Sequence, residues 1–394
     1  MNYNFDEIHD RTHTSSKKWN PSMYKARFNG HTDLLPLWVA DMDFKVSEGI
    51  NKRLSKVVES GIFGYTGFDD EYYDAIIRWH KEKHNFALAA EDITYTPGVV
   101  TAVNFCLEVF TKENDAIIIQ TPVYYPFSNA IRNNNRKLIT SPLIESEPLY
   151  YTMDLEDFER KIIDNDVKMF ILCSPHNPVG RVWTREELEK VAEICLKHNV
   201  LVISDEIHSD LLFFGNEHTP FMNISEEIAQ QTITCTAVSK TFNLAGLKIS
   251  NIIIKNKELR ERYQKFMDQQ HLLSPNAFAM EMVKGAYLES DDWYEQVKEY
   301  IEGNIQFAAD YLEKETENLR MRPLQGTYLG WIDARKFSTD PEVLTELCEV
   351  KAKVAFDFGH WFGEEGNGFL RINLACPRSI VAEALSRLKK AVEL

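Results

Sequence analysis

The chain has 394 residues, and its 44 Lys and Arg residues against 60 Asp and Glu residues give a formal net charge of −16. This acidity argues against a nucleic-acid-binding surface, because such a surface needs clustered Lys and Arg residues to face the phosphates. No stretch approaches about eighteen consecutive apolar residues, so we expect no transmembrane helix.

The six cysteines include no CxxC pair, which favours buried free thiols over a zinc site or a disulfide framework. The polar start of the chain, residues 1–20, lacks the apolar core of a signal peptide. Together these features predict a cytoplasmic protein in a reducing compartment. The length suits two closely associated domains.

Short β-rich runs alternate with helical stretches from about residue 90 to 255. Near-continuous apolar strands separated by helices indicate an α/β fold with a largely parallel sheet covered on both faces. One helix, 184–199, opens with Thr184 and Glu187 at the spacing of a capping box. The predicted strands are residues 115–122, 136–143, 167–175, 200–206, 232–238 and 249–255.

Beyond residue 255 the pattern indicates a smaller α+β unit, with which the first fifty residues are expected to pack. We place a large domain at residues 50–288 and a small domain at residues 1–49 together with 289–394. The expected elements of this second part are surface helices at 257–270 and 291–316, strands at 326–335 and 368–376, and helices from Pro341 and over 378–394.

Three polar residues fall just after apolar strands, where open α/β sheets bind their ligands, and a turn-forming glycine stands before a helix. Asn177, Asp205 and Lys240 each follow an apolar strand, and Gly98 leads into a helix whose free amides could hold a phosphate. Taken singly, Gly98 and Asn177 are typical of turns, and Asp205 could simply cap a helix. Lys240 is harder to explain, because it is the only charged residue between 232 and 247 and a buried lysine is costly.

The combination matches what pyridoxal phosphate requires of a protein. This cofactor needs a lysine that bonds to its aldehyde carbon, a carboxylate beside its ring nitrogen and a phosphate-binding helix start. An aromatic ring usually stacks on it, and Tyr124 and Tyr125 follow the first predicted strand, although core packing alone would also explain them.

Eight motifs in order resemble the fold-type I pyridoxal-phosphate enzymes of the aminotransferase class I/II group, above all the MalY/PatB branch of cystathionine β-lyases (β-C–S lyases). The resemblance implies a mostly parallel seven-stranded sheet in the large domain and a homodimer with shared active sites. The motifs are WVADMDF, GYTG, TPGVV, TPVYYPF, CSPHNPVGRVW, ISDEIHSDL, SKTFNLAGLK and RINLACPR.

The resemblance also implies roles around the cofactor ring and the substrate. Lys240 bonds to the cofactor and moves the α-proton, Asp205 pairs with the ring nitrogen, and Tyr124 stacks on the ring. Asn177 donates to the ring hydroxyl. Arg371 binds the substrate α-carboxylate, although an arginine in a strand can also belong to a structural ion pair.

At the phosphate, the resemblance implies that the backbone amides of Val99 and Val100, after Gly98, bind together with Lys248. Tyr65 would reach the same phosphate from the neighbouring subunit. No metal site is expected. The remaining expected site residues are Ser239 and His208 at the cofactor, and Ala40 and Asp41, with Asn177, at the substrate.

Three positions depart from the wider aminotransferase pattern. His208 stands where many relatives have a tyrosine, Ala237 where a phosphate-binding serine is common, and Lys248 where arginine is usual. These departures favour the lyase branch over an ordinary transaminase.

The expected reaction is α,β-elimination from cystathionine or another cysteine S-conjugate, which releases a thiol, pyruvate and ammonia. Homocysteine would be the thiol from cystathionine, as in methionine biosynthesis. The alternative is an aminotransferase that uses the same residues. A regulatory protein that keeps the fold is a lesser alternative, whose marker would be the loss of Lys240.

Overall fold

A computed structural model describes residues 3–393, and Met1, Asn2 and Leu394 lie outside the described residues. The small domain is expected at 1–49 and 289–394, and the last helix at 378–394. Each of these ranges therefore includes residues outside the described part of the chain.

The strands of the described chain are β1 (Leu35–Pro36), β2 (Ile93–Thr96), β3 (Ala116–Ile119), β4 (Lys137–Thr140), β5 (Ile144–Glu147), β6 (Tyr150–Thr152), β7 (Met169–Cys173), β8 (Leu201–Asp205), β9 (Thr232–Thr236), β10 (Ser250–Ile253), β11 (Arg320–Met321), β12 (Leu329–Asp333), β13 (Val354–Ala355), β14 (Asp357–Phe358) and β15 (Phe369–Asn373). Its α-helices are α1 (Pro21–Tyr24), α2 (Glu48–Ser60), α3 (Asp70–His84), α4 (Val99–Phe110), α5 (Pro126–Asn133), α6 (Leu155–Asn165), α7 (Arg185–Lys197), α8 (Glu226–Ala229), α9 (Val238–Thr241), α10 (Lys257–Gln269), α11 (Ala279–Glu289), α12 (Asp291–Glu315), α13 (Pro341–Thr345) and α14 (Arg378–Val392).

The large sheet has seven strands in the order β2-β10-β9-β8-β7-β3-β4. The strands from β4 to β9 in this order pair in parallel, whereas β10 is antiparallel to both β9 and β2. Strands β3 and β7 are buried along their whole length, which explains their near-continuous apolar sequences, and β9 is equally buried although its sequence alternates with threonine. The predicted α/β fold with a mostly parallel seven-stranded sheet is confirmed.

Strand β2 is the member of the large sheet that the apolar pattern does not predict. It lies at the sheet edge, where a strand such as ITYT can carry threonines, and it runs directly into the turn at Pro97 and Gly98. Because β10 is antiparallel to both of its neighbours, β2 runs parallel to β9. The carboxyl end of β2 therefore lies at the same sheet edge as those of β7, β8 and β9.

Helix α7 begins as its sequence predicts. The Thr184 hydroxyl accepts from the backbone N–H of Glu187 at 3.2 Å, and the Glu187 carboxylate accepts from the backbone N–H of Thr184 at 2.8 Å. The capping box is thus complete, and it satisfies two amides that the helix leaves without partners.

A second sheet of four antiparallel strands has the order β11-β12-β15-β14. The early strand β1 pairs in parallel with β13, so the N-terminal segment packs beside the C-terminal part of the chain, as expected. Helix α12, predicted as a surface helix, has one buried face with residues spaced by four: Trp293, Val297, Ile301 and Ile305. Its exposed face is charged.

Close packing of helix α11 on helix α2 depends on a glycine. A Cβ atom added to Gly285 would lie 2.9 Å from the Ile50 Cα, a distance that real Cβ atoms essentially never show. The clashing atom is backbone, so no side-chain rotation can relieve it. The two helices approach this closely because position 285 has no side chain.

We therefore expect Gly285→Ala to destabilise the protein by about 1–3 kcal/mol, as is typical of overpacking. The check is a lower thermal unfolding midpoint of the variant. Gly246→Ala is the matched control, because a Cβ added there meets no atom within 4 Å. Equal midpoints for the two variants would contradict the packing argument.

Candidate active site

A cavity of about 390 Å³ opens at the carboxyl edge of the large sheet. It brings together residues that follow β2, β3, β7, β8 and β9, which are separated by more than a hundred positions in the sequence. The predicted site residues that line it are Ala40, Gly98, Val99, Val100, Tyr124, Asn177, Asp205, His208, Ser239, Lys240 and Lys248.

Lys240 lies on the short helix α9, directly after β9, and its amine points at a backbone carbonyl. The Nζ atom donates to the Ala40 carbonyl oxygen at 2.6 Å, and the same oxygen accepts from the Tyr328 hydroxyl at 3.0 Å. Burial lowers the pKa of Lys240 to about 8; the Arg371 charge also lowers it, while Asp41 and Asp205 oppose the shift. A minor fraction of the amine is thus neutral at physiological pH, far more than for an ordinary lysine.

Asp205 is the last residue of β8 and is buried. One carboxylate oxygen accepts from the backbone N–H of Ile207 at 3.1 Å. Burial raises the pKa of Asp205 to about 7, although this hydrogen bond and the Lys240 charge both lower it. The neighbouring groups therefore do not fully stabilise the negative charge of the ionised Asp205 carboxylate. A cationic N–H group beside it would stabilise that charge.

Asn177 and Arg371 meet at one end of the cavity. The Nη1 atom of Arg371 donates to the Asn177 Oδ1 atom at 3.1 Å, and its Nη2 atom donates to the Trp38 carbonyl at 3.1 Å. Nη2 also forms a short ion pair with Asp357. Arg371 is buried behind Asn177, so it has the structural ion pair considered for it and also lies next to the cavity.

The N-terminus of helix α4 closes another side of the cavity. Gly98 precedes the helix at φ +105°, a conformation that favours glycine, and a Cβ there would meet no atom within 4 Å. The first helical amides, at Val99 and Val100, lack intrahelical partners. Lys248 is exposed at the same cavity, and this arrangement is suited to an anion.

Tyr124 and His208 supply the rings of the site. Burial raises the pKa of Tyr124 to about 12, so its hydroxyl stays protonated. Burial, with the charges of Lys240 and Arg371, places the pKa of His208 well below its usual range, so His208 is neutral. The His208 Nδ1 atom is buried without a hydrogen-bond partner among the described residues.

Besides Arg371, which lies behind Asn177, two predicted residues do not line this cavity. Tyr65 is fully exposed in the loop between α2 and α3. The Asp41 carboxylate accepts from Arg11 at 3.0 Å and lies 3.4 Å from the Lys18 amine, so its charge acts on Lys240 only at a distance.

A buried polar cluster under Ala40 was not anticipated from the sequence. Asp43 accepts from Lys18 at 2.7 Å, from Arg11 at 2.8 Å and from the Trp19 indole at 2.7 Å. Lys18 is fully buried, and its charge is retained because Asp43 opposes the effect of burial, so its pKa is raised. The available signal was the pair of lysines before Trp19, but nothing local marks one of them as buried.

The amide of Asn373 holds the segment that carries Ala40. Its Nδ2 atom donates to the carbonyls of Val39 and Asp41, each at 2.6 Å. Asn243, three residues after Lys240, donates to the carbonyls of Met42 and Phe44 at 3.0 Å. The acceptor of the Lys240 amine is thus fixed from both sides.

Other classes of site find no support in the described chain. Within residues 3–393, no group of three or more His, Cys, Asp or Glu residues is arranged to hold a metal ion. None of the helices there is both long and apolar enough to cross a membrane. All six cysteines are free and buried, as predicted.

A profile of the family described as "Aminotransferase class I and II" matches residues 32–388. Cystathionine beta-lyase PatB of Bacillus subtilis (strain 168) is 39% identical over 389 residues, which cover 99% of this chain and 100% of that protein.

Two solved structures resemble this chain over its length. A PLP-bound protein from Clostridium difficile 630, provisionally described as an aminotransferase, has a TM-score of 0.96 and 44% identity, covering 99% of this chain and 100% of that one. Cystalysin from Treponema denticola, which contains a pyridoxal 5'-phosphate cofactor, has a TM-score of 0.95 and 40% identity, covering 100% of this chain and 99% of that one. The resemblance drawn from the eight motifs is confirmed: the chain belongs to the aminotransferase class I and II family.

Proposed function

We propose that this protein is a pyridoxal-phosphate-dependent carbon–sulfur lyase. It catalyses α,β-elimination on L-cystathionine or another cysteine S-conjugate and releases a thiol, pyruvate and ammonia. The observation that carries the proposal is the meeting of Lys240, Asp205 and Asn177 with the N-terminus of α4 around one cavity. The similarity to PatB supports the lyase reaction.

The residues fit the cofactor at its ring. Asp205, whose pKa is raised by burial, gains a charge partner when it faces a protonated ring nitrogen. Asn177 accepts from Arg371 through Oδ1, which leaves its amide N–H groups for the ring hydroxyl. Tyr124 would stack on the ring, and neutral His208 would border it. The bound cofactor supplies an electron sink for negative charge at the substrate Cα.

The residues also fit the phosphate. The amides of Val99 and Val100 donate to it, with the Lys248 ammonium and the Ser239 hydroxyl beside them. Lys248 acts as a point charge where an arginine would offer a fork, so the helix amides carry the directional part of the binding.

Arg371 binds the substrate α-carboxylate in this proposal. Its guanidinium is held by Asn177, Trp38 and Asp357, which leaves the Nε–H group without an acceptor and able to donate to a carboxylate. The backbone at Ala40 borders the same cavity, and Asp41 contributes through its charge.

Lys240 moves the α-proton. Because burial lowers its pKa to about 8, an appreciable minority of the amine is neutral near physiological pH and can accept a proton. The Ala40 carbonyl orients the amine at 2.6 Å. The protonated amine, or a nearby tyrosine, then donates to the departing thiolate, which leaves Cβ with the electron pair of the C–S bond.

An aminotransferase remains the alternative enzyme, and the description of the C. difficile protein favours it. It would use the same residues, so only the fate of the proton and the leaving group separates the two reactions. A regulatory protein without catalysis is disfavoured because Lys240 is present. Release of homocysteine would place the lyase in methionine biosynthesis, and the six free thiols fit the cytoplasm.

We also propose a homodimer with shared active sites, in which Tyr65 reaches the phosphate of the neighbouring subunit. Its loop carries further exposed apolar residues, Ile62 and Phe63, and the Phe63 ring is 6.0 Å from that of Phe278. Exposed apolar side chains on one loop are typical of an interface. The domain boundaries proposed are 50–288 for the large domain and 1–49 with 289–394 for the small one.

Purified protein incubated with L-cystathionine and no keto acid is expected to release thiol and pyruvate in equal amounts, measured with a thiol reagent and lactate dehydrogenase. Lys240→Ala should lower the rate by several orders of magnitude, because both the covalent link and the proton acceptor are lost. Amino transfer to an added keto acid, with no thiol release, would refute the lyase.

The Asp205 carboxyl should destabilise the cofactor-free protein as pH rises. Its pKa is raised from 3.8 to about 7 on folding, so the folded state binds the extra proton between these values and stability falls across that window. Asp205→Asn should therefore stabilise the cofactor-free protein at about pH 8, by on the order of 3 kcal/mol, and should have little effect at about pH 4.

The measurement is the difference in thermal unfolding midpoint between Asp205→Asn and wild type at each pH. Asp74→Asn, on the exposed face of α3, is the control and should show no such dependence. An equal difference in midpoint at both pH values would exclude a raised pKa for the buried Asp205 carboxyl. The same Asp205→Asn variant should be nearly inactive when loaded with the cofactor.

Shared sites can be tested by mixing subunits. Lys240→Ala and Tyr65→Ala proteins, each impaired at limiting cofactor, are unfolded together and refolded in equal amounts. Half of the dimers then carry one site with Lys240 from one chain and Tyr65 from the other, so activity should recover to about one quarter of wild type. Activity equal to the mean of the two parents would show that each site is built from one chain.

A further inference from the structure

Arg27 lies in a box of three aromatic rings beside the carboxylate end of the active site. Its guanidinium carbon is 3.8 Å from the centre of the Trp361 ring and 5.3 Å from the centres of the Trp38 and Tyr125 rings. Its Nη2 atom donates to the Tyr125 hydroxyl at 3.1 Å. All three rings are half-buried, so the box opens to solvent on one side.

The box contacts residues of the active-site cavity. The Tyr125 ring is 5.6 Å from that of Tyr124, which lines the cavity. The Trp38 carbonyl accepts from Arg371, and Trp38 stands two residues before Ala40. A substrate whose α-carboxylate is on Arg371 therefore has Arg27 as a close neighbour.

One carboxylate lies between the two arginines. Asp357 faces Arg371 directly across the pair β14 and β15 and forms a short ion pair with it. The Arg27 Nη2 atom is 3.9 Å from the other Asp357 oxygen, which is too far for a hydrogen bond. Two guanidinium groups thus share one carboxylate, and one positive charge is left without a partner.

Unpartnered polar atoms are concentrated at this place. Among the described residues, Arg27 Nε, Trp38 Nε1 and Arg371 Nε are buried donors without acceptors, and Asp357 Oδ1 is a buried acceptor without a donor. A buried polar group without a partner costs about 1–3 kcal/mol, so native proteins rarely leave four together. The α-carboxylate on Arg371 can accept from its Nε atom, and the Arg27 Nε and Trp38 Nε1 donors then remain for a second ligand that carries acceptor oxygens.

We propose that Arg27, together with the Trp38 indole N–H, binds a second carboxylate, located on the thiol half of the substrate. This inference rests on the proposed function, in which Arg371 holds the first carboxylate. The enzyme then selects cysteine thioethers whose leaving group ends in a carboxylate over neutral thioethers of the same length. Asp357 keeps the two guanidinium groups apart and oriented.

The test compares two thioethers of equal length, S-carboxyethyl-L-cysteine and its amide, S-carbamoylethyl-L-cysteine. The cofactor-loaded wild type should prefer the carboxylate by at least tenfold in kcat/KM, equivalent to about 1.4 kcal/mol. This modest value allows for solvent screening, since the Arg27 side chain is 32% exposed. The preference should disappear in Arg27→Met, with kcat/KM for the amide unchanged within twofold.

Two further variants separate recognition from support of the fold. Trp38→Phe keeps the ring and removes only the indole donor, so it should reduce the preference without abolishing it. Arg322→Met is the matched control, because Arg322 also stacks on a ring, that of Tyr150 at 4.6 Å, but lies away from the cavity. It should leave the preference at the wild-type value.

A wild-type preference near one overturns the proposal, and so does an Arg27→Met variant that loses activity equally on both thioethers. If neither compound releases thiol, the lyase proposal fails instead. The two amino acids can then still be compared by titrating the absorption band of the bound cofactor. A tenfold difference in Kd that Arg27→Met removes supports recognition of the second carboxylate, and equal Kd values refute it.

Discussion

The burial of an amine and a carboxyl at one sheet edge is the constraint on which the site depends. Lys240 and Asp205 follow adjacent parallel strands, and burial moves their pKa values towards neutrality, to about 8 and about 7. In water, neither group would be a good reagent near neutral pH, because the amine would be protonated and the carboxylate fully solvated. The apolar strands that raise the cost of charge here are the same ones that hold the sheet together. The same buried strands therefore stabilise the fold and shift the pKa values of Lys240 and Asp205.

The N-terminal segment completes the site from the opposite side. Lys18 and Asp43 form a fully buried ion pair, and such a pair often contributes little net stability because both charges lose their hydration. What this pair supplies is geometry: with Asn373 and Asn243 it fixes the backbone around Ala40, whose carbonyl accepts from Lys240. A loose segment would leave the amine without a defined direction. The free-energy cost of burying Lys18 and Asp43 is thus linked to the orientation of the Lys240 amine.

The sequence predicts the parts of this protein that depend on local pattern. Lys240 stands out because its neighbours carry no charge, and Asp205 and Asn177 because they follow apolar strands. Strand β2 escapes the pattern because an edge strand need not be apolar. The local pattern does not predict the burial of Lys18 either, because its neighbour Lys17 is exposed and only the contact with the distant Asp43 distinguishes the two lysines. Contacts between residues that are distant in the sequence leave no signal in the local sequence pattern.

Arg371 shows how a structural and a functional role can coexist in one side chain. A guanidinium group buried this deeply would be costly without an anion, and the Asp357 carboxylate provides one before any substrate arrives. A substrate carboxylate that joins Arg371 then meets a second negative charge in a place of low dielectric. Burial already raises the pKa of Asp357 even with two arginines beside it. The cation of Arg27, held on three rings, supplies the positive charge that a second carboxylate of the substrate needs beside Asp357.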